Sequence, residues 1–217
     1  MGRLLVAVVG SVQEDRDYNP PLEHVAEARK ACEELGRELA TQGCDIVVYS
    51  NDPKFIEADI VRGYVASGKA VAGSIHVRAP YGKATGFEGF TQQPDLFDHK
   101  PDSRKQWEVP FFRSLSSTNG ILIVGGGRST LTTGMIALTL RIPLLAIASF
   151  GGSARQVWEV FDTERNYATD EEIAVMAQPG WRPNLAQRLI RSLVDQDTRR
   201  VAEKQGPVGF VDGSVVR

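Results

Sequence analysis

The sequence predicts an α/β protein: a single domain around a doubly wound, mostly parallel sheet of five or more strands. Three observations carry that expectation. Short apolar runs recur along the chain, and stretches of helical period separate them. The runs are apolar throughout rather than alternating, as strands covered on both faces are. Each run also ends in Gly, Ser, Asn or a basic residue, where a chain serving only its core needs none of these.

The strands are expected at Arg3–Val9, Asp45–Ser50, Lys69–Val77, Gly120–Val124 and Pro143–Ile147. Between the first two, Val25, Ala28, Cys32, Leu35 and Leu39 fall three and four apart while charged residues take the other positions, which predicts a crossover helix over Leu22–Gln42. Gly43 stands where a left-handed cap would end it. Asp52-Pro53 reads as N-cap and first helical residue of a helix over 53–67. Further helices are expected at Trp107–Ser117, Thr130–Leu140, Ala154–Glu164 and Asn184–Lys204. Arg78–Gln106 shows no period and carries glycines, prolines and scattered aromatics, so a lid over the site is expected there. Residues 1–178 are read as the ligand-binding unit and 179–217 as a C-terminal helix with a loosely held or intermolecular tail, Gly206–Arg217.

Composition narrows the function. With 42% hydrophobic and 24% charged residues among 217, disorder, collagen and a disulfide scaffold are excluded. Lys plus Arg number 25 against 27 Asp plus Glu, a net charge of −2, which gives no global field for nucleic acid or an anionic membrane. The expected partner is a small molecule held locally. Cys32 and Cys44 lack metal-ligand spacing and read as reduced core thiols of a cytoplasmic protein, with no metal and no resident cofactor. The apolar run Leu4–Val9 is too short for a signal peptide or a membrane span.

In a doubly wound sheet, ligands sit beyond the carboxyl ends of the strands. The candidates there are Gly10 and Ser11 after the first strand, Asn51 after the second, Arg78 after the third, and Phe150, Gly151 and Gly152 after the fifth. Most informative is the strand-to-helix turn after the fourth: Gly125, Gly126, Gly127, Arg128, Ser129 and Thr130. Glycines admit a ligand to the backbone, the first-turn N–H groups and the helix dipole favour an anion, and Arg128 can add a forked contact. The alternative is a plain turn capped by Ser129 or Thr130. The turn lacks the lysine of GxxxxGK[ST] and the spacing of GxGxxG, so neither P-loop hydrolysis nor standard dinucleotide binding is supported.

GGGRST after a buried strand, with the earlier Gly-Ser turn, ELGRELATQGCDIVVYS and PLLAIASFGG, resembles the SLOG superfamily over about residues 3–165. These are Rossmann-like domains that include LONELY GUY-type phosphoribohydrolases and nucleotide-sensing domains. The resemblance implies a nucleotide or NAD-derived ligand with its phosphate on Gly125–Thr130. LONELY GUY enzymes carry PGGxGTxxE, whose glutamate serves N-glycosidic cleavage; here Thr133-Gly134 stand where that acid is expected. Cleavage builds positive charge on the ribose, which a carboxylate stabilises, so its absence favours a sensor over an enzyme. A nucleotide N-glycosidase or phosphoribohydrolase would have to use Glu108 or Asp52, although Glu108 also reads as a solvated helix residue and Asp52 as a cap. Tyr81, Phe87, Phe90 and Phe97 of the long segment either stack on a base or plug a hydrophobic contact. An even-numbered homo-oligomer, dimer or tetramer, is the expected assembly.

Overall fold

The computed structural model describes residues 2–90, 93–161 and 166–205. Among them, β1 (Leu5–Ser11), β2 (Asp45–Val48), β3 (Ile75–Ala79), β4 (Phe97–Pro101), β5 (Gly120–Gly125) and β6 (Leu144–Ile147) form one sheet. Its order is β4-β3-β2-β1-β5-β6, and every neighbouring pair is parallel. This is the Rossmann-like α/β arrangement. The chain steps outward from β1 to β4, then returns to lay β5 on the other flank of β1. Strand order reverses there, so the carboxyl ends of β1 and β5 flank the crevice in which such sheets bind ligands. The register sets Gly10 opposite Val124 and Ser11 opposite Gly125.

Seven helices cover the sheet among the described residues: α1 (Val25–Thr41), α2 (Ile56–Ala66), α3 (Glu108–Leu115), α4 (Arg128–Thr139), α5 (Gly152–Val160), α6 (Asp170–Met176) and α7 (Leu185–Gln205). Right-handed crossovers leaving β1 and β5 in opposite directions put α1 and α2 on one face and α4 on the other. Ala28, Cys32, Leu35 and Leu39 bury the expected stripe of α1, and Gly43 takes the left-handed conformation (φ 73°) just past its end. Both cysteines are buried free thiols, and burial pushes the Cys44 thiol up to about 12. α7 packs against α1 and β6. There the fully buried Gln196 accepts from the Leu144 N–H at 2.9 Å and donates to its carbonyl at 3.2 Å, giving the edge strand β6 the partners it lacks.

Two expectations change, and one helix is added. The segment Arg78–Gln106 contains β4, which completes one edge of the sheet. An edge strand needs no continuous apolar run: Asp98, His99 and Lys100 are half-buried or exposed, and the Asp98 carboxylate meets His76, Arg78 and Lys100. α2 begins at Ile56, three residues after Pro53, while Asp52 accepts from the Lys54 N–H in the preceding turn. α6 has no apolar period long enough to read, although Thr169 and Glu172 close a full capping box at its start. The tail Gly206–Arg217 and the end of the helix expected at Ala154–Glu164 lie outside the described residues.

Candidate functional site

A cavity of about 540 Å³ opens at the switch point, within the range of small-molecule sites. The end of β1 contributes Gly10 and Ser11 to its wall, and the start of α4 contributes Gly127, Arg128, Ser129 and Thr130. Tyr49 and Ser50 follow β2, Phe55 and Glu57 open α2, and Trp107, Glu108, Phe111 and Phe112 come from α3 and its approach.

The turn into α4 is shaped for an anion. The Gly126 N–H is occupied by the Ser11 carbonyl at 2.9 Å, and the first helical bond runs from Leu131 N to Gly127 O at 3.0 Å. No side chain caps the helix, and the N–H groups of Arg128, Ser129 and Thr130 find no acceptor among the described residues. The reading of this turn as capped by Ser129 or Thr130 therefore fails. Gly126 is required: at φ 78° a Cβ would lie 2.0 Å from the Thr130 hydroxyl oxygen, which folds back over it. Arg16 lies over the turn, its Nη2 3.1 Å from where a Gly127 Cβ would stand, and its guanidinium is 5.4 Å from the Tyr18 ring centroid. The Tyr18 and Ser11 hydroxyl oxygens are 2.9 Å apart. Neither Arg16 nor Arg128 meets a carboxylate among the described residues, so two exposed guanidinium groups sit unpaired beside free N–H groups.

The opposite wall is aromatic. Tyr49 is buried, its ring centroid 4.8 Å from that of Phe111, and its hydroxyl is 2.7 Å from that of Ser114. Phe55, Trp107 and Phe112 are large apolar side chains left exposed, and all three line this cavity.

Glu57 is the polar exception in that wall. It is only 5% exposed, and its Oε2 is buried with no hydrogen-bond partner. Burial, and then the nearby charge of Asp52, raise its carboxyl well above the ordinary range, against a contribution from its own backbone N–H. An acid held protonated by the fold costs stability once the pH passes its unfolded value, near 4.5, because the unfolded chain then releases the proton freely. Glu57→Gln is therefore expected to melt above the wild type at pH 7, with the gap closing below about pH 4. Melting curves across that range check it; a wild type as stable as the variant at both ends would contradict a buried, unpaired acid.

The other candidates divide. Gly125, Gly126, Phe150, Gly151 and Gly152 lie behind the turn rather than in the cavity wall: Ser153 N–H donates to Gly126 O at 2.8 Å, Gly152 N–H to Pro20 O at 3.1 Å, and Glu23 N–H to Phe150 O at 3.1 Å. Asn51 pins the next loop, its N–H donating to Thr85 O at 2.7 Å and its amide to Gly86 O at 3.2 Å. Arg78 donates to the Asp98 carbonyl at 3.0 Å and its carboxylate at 3.2 Å on the sheet edge. Asp52 lies outside the lining, whereas Glu108 is in it, exposed at the start of α3. Phe87, Phe90 and Phe97 pack on one another, with centroids 5.2 to 6.2 Å apart, and neither they nor Tyr81 line the cavity. Thr133 is fully buried, its hydroxyl donating to Ser129 O at 2.9 Å, so that position of α4 offers no acid to the site. Sequence reasoning missed Arg16, Tyr49, Phe55, Glu57, Trp107, Phe111 and Phe112. Among the described residues no group of three His, Cys, Asp or Glu side chains could hold a metal, and no helix is long and apolar enough to cross a membrane.

No protein-family model and no curated protein matches this sequence. Solved structures do. The X-ray structure of TM1055, a structural genomics target, is similar with a TM-score of 0.56 and 16% identity, covering 89% of this chain and 99% of that one. The structure of the molybdenum cofactor binding protein from the phototrophic bacterium Rippkaea orientalis is similar with a TM-score of 0.51 and 12% identity, again over 89% of this chain and 99% of the other. What this chain shares with both is its fold.

Proposed function

We propose that the protein binds a nucleotide or nucleotide-derived ligand, its phosphate on the first turn of α4 and its ring against the aromatic wall, and acts as a SLOG-type sensor. One observation carries the reading. The unpaired N–H groups of Arg128, Ser129 and Thr130, with Arg16 and Arg128 beside them, open on a cavity whose far wall is aromatic. A ligand with an anionic end and a flat apolar ring fits both ends at once. A phosphorylated pterin has the same two parts as a nucleotide, and the Rippkaea orientalis structure with this fold is that of a molybdenum cofactor binding protein, so pterins belong in the test.

The enzyme reading rests on Glu108, the one acid of the sequence candidates in the lining. One experiment separates the two. Nucleoside monophosphates, NAD, a pterin phosphate and the matching unphosphorylated compounds are screened for a rise in melting temperature, and the mixtures are assayed for free base. A sensor gives much larger stabilisation by phosphorylated ligands than by their unphosphorylated counterparts, and no released base. Release of base that Glu108→Gln abolishes would overturn it, and so would equal stabilisation by phosphorylated and unphosphorylated ligands.

A further inference from the structure

A buried polar atom without a partner is uncommon in folded proteins and costs free energy that something must offset. Glu57 is such a group, and it stands in the wall of the cavity rather than in the closed core. Its place is fixed from two sides. It occupies the second position of α2, whose register is held where Arg29 and Arg62 meet the buried Asp59 at 3.1 and 2.8 Å. Phe55 and Tyr49 line the cavity beside it, and Phe111 packs on Tyr49. Glu57 is thus a buried acid in a wall that is otherwise largely aromatic, within the same cavity as any ring that stacks there.

We infer that Glu57 selects the ring: on binding, its carboxyl group releases to solvent the proton that the free fold holds, turns into the cavity, and accepts with both oxygens a pair of neighbouring N–H groups, the ring N–H and exocyclic amino group of a 2-amino-4-oxopyrimidine, in a purine or a pteridine. This rests on the phosphate reading given above and adds to it the class of ring. Side-by-side oxygens match side-by-side donors, a paired, charge-assisted geometry that compensates the buried negative charge formed when the proton departs. Uracil offers a single N–H flanked by carbonyl oxygens, so it satisfies one carboxylate oxygen and sets a carbonyl oxygen against the other. Adenine offers alternating acceptor and donor, the pattern that an amide side chain matches instead. A site built to meet donors rejects an analogue lacking one because its own polar group is then stranded.

Guanosine and inosine monophosphates differ by the single 2-amino group, so the ratio of their affinities reads Glu57 directly. Titration calorimetry of the full chain is expected to give GMP binding at least about tenfold tighter than IMP, in line with a hydrogen bond to a charged group. In Glu57→Gln the ratio is expected to fall below about threefold, with AMP gaining on GMP. Preference for 6-hydroxymethylpterin phosphate over GMP, or the reverse, supports the inference and says which ring system carries the edge. GMP and IMP binding equally to the wild type, a ratio unchanged in Glu57→Gln, or AMP binding tightest to the wild type would each overturn it. The wild-type ratios decide the matter even should the variant fail to fold. If phosphorylated ligands bind without regard to the 2-amino group, the phosphate reading stands and the role of Glu57 falls; if none binds, both fall.

Discussion

Gly63→Val is expected to lower folding stability by roughly 3 kcal/mol or more. Gly63 in α2 and Gly36 in α1 stand where the two helices cross, and each lets the other backbone in. A Cβ on Gly63 would lie 1.8 Å from the Glu33 carbonyl oxygen, and one on Gly36 2.0 Å from that of Ile60. Neither contact can be relieved by turning a side chain, because the obstacle is backbone. The helices would have to part, and Arg29, Arg62, Glu33 and Asp59, whose ion pairs bracket the crossing, would have to re-form them over a wider gap. Urea unfolding measures the loss. Gly89→Ala is the control, since nothing lies within 4 Å of a Cβ there, and it should stay within about 0.5 kcal/mol of the wild type. A Gly63→Val protein within about 1 kcal/mol of the wild type would mean that α1 and α2 do not approach this closely. The consequence reaches the site, because α2 presents Phe55 and Glu57 to the cavity.

What the sequence discloses follows burial. β1, β2, β5 and β6 are covered on both faces, and their nearly unbroken apolar runs mark them to within two residues at each end. β3 begins later than its apolar residues suggest, because a turn from Val71 to Ser74 precedes it and Val71 is exposed. β4 is polar because it pairs on one side only, and periodicity has nothing to detect there. The anion end of the site is local in sequence, one strand, one turn and one helix start, so GGGRST reveals it. The aromatic end is assembled from three separated stretches, and only the closed sheet brings Tyr49, Phe55 and Phe111 together. Glu57 did leave a trace. It falls three, four and seven residues before Ile60, Val61 and Tyr64, on the stripe that α2 buries, and an acid on an apolar stripe is a group the fold keeps for some reason other than solubility.

Arg128→Ala is expected to weaken binding of phosphorylated ligands by about ten- to a hundredfold while leaving unphosphorylated ones nearly unchanged, the worth of one charge-assisted hydrogen bond. The expectation is sharp because the Arg128 side chain has no other work in the fold: it is exposed, and no ion pair or hydrogen bond engages its guanidinium among the described residues. Its removal should therefore move the melting temperature of the free protein very little, as at an ordinary surface position. Binding is reduced rather than abolished, since the N–H groups of Arg128, Ser129 and Thr130 belong to the backbone and survive the exchange. Arg16→Ala removes the second guanidinium from over the same turn, and the double variant should lose more than either single one, with a shallower dependence of affinity on salt. Calorimetric titration of a monophosphate and its nucleoside against all four proteins, at two ionic strengths, measures each effect. Equal losses for monophosphate and nucleoside would place Arg128 against the ring and not the phosphate. No loss for either would leave the α4 turn without its anion, because a guanidinium group beside bound phosphate cannot be removed from an exposed, unpaired position without weakening the complex.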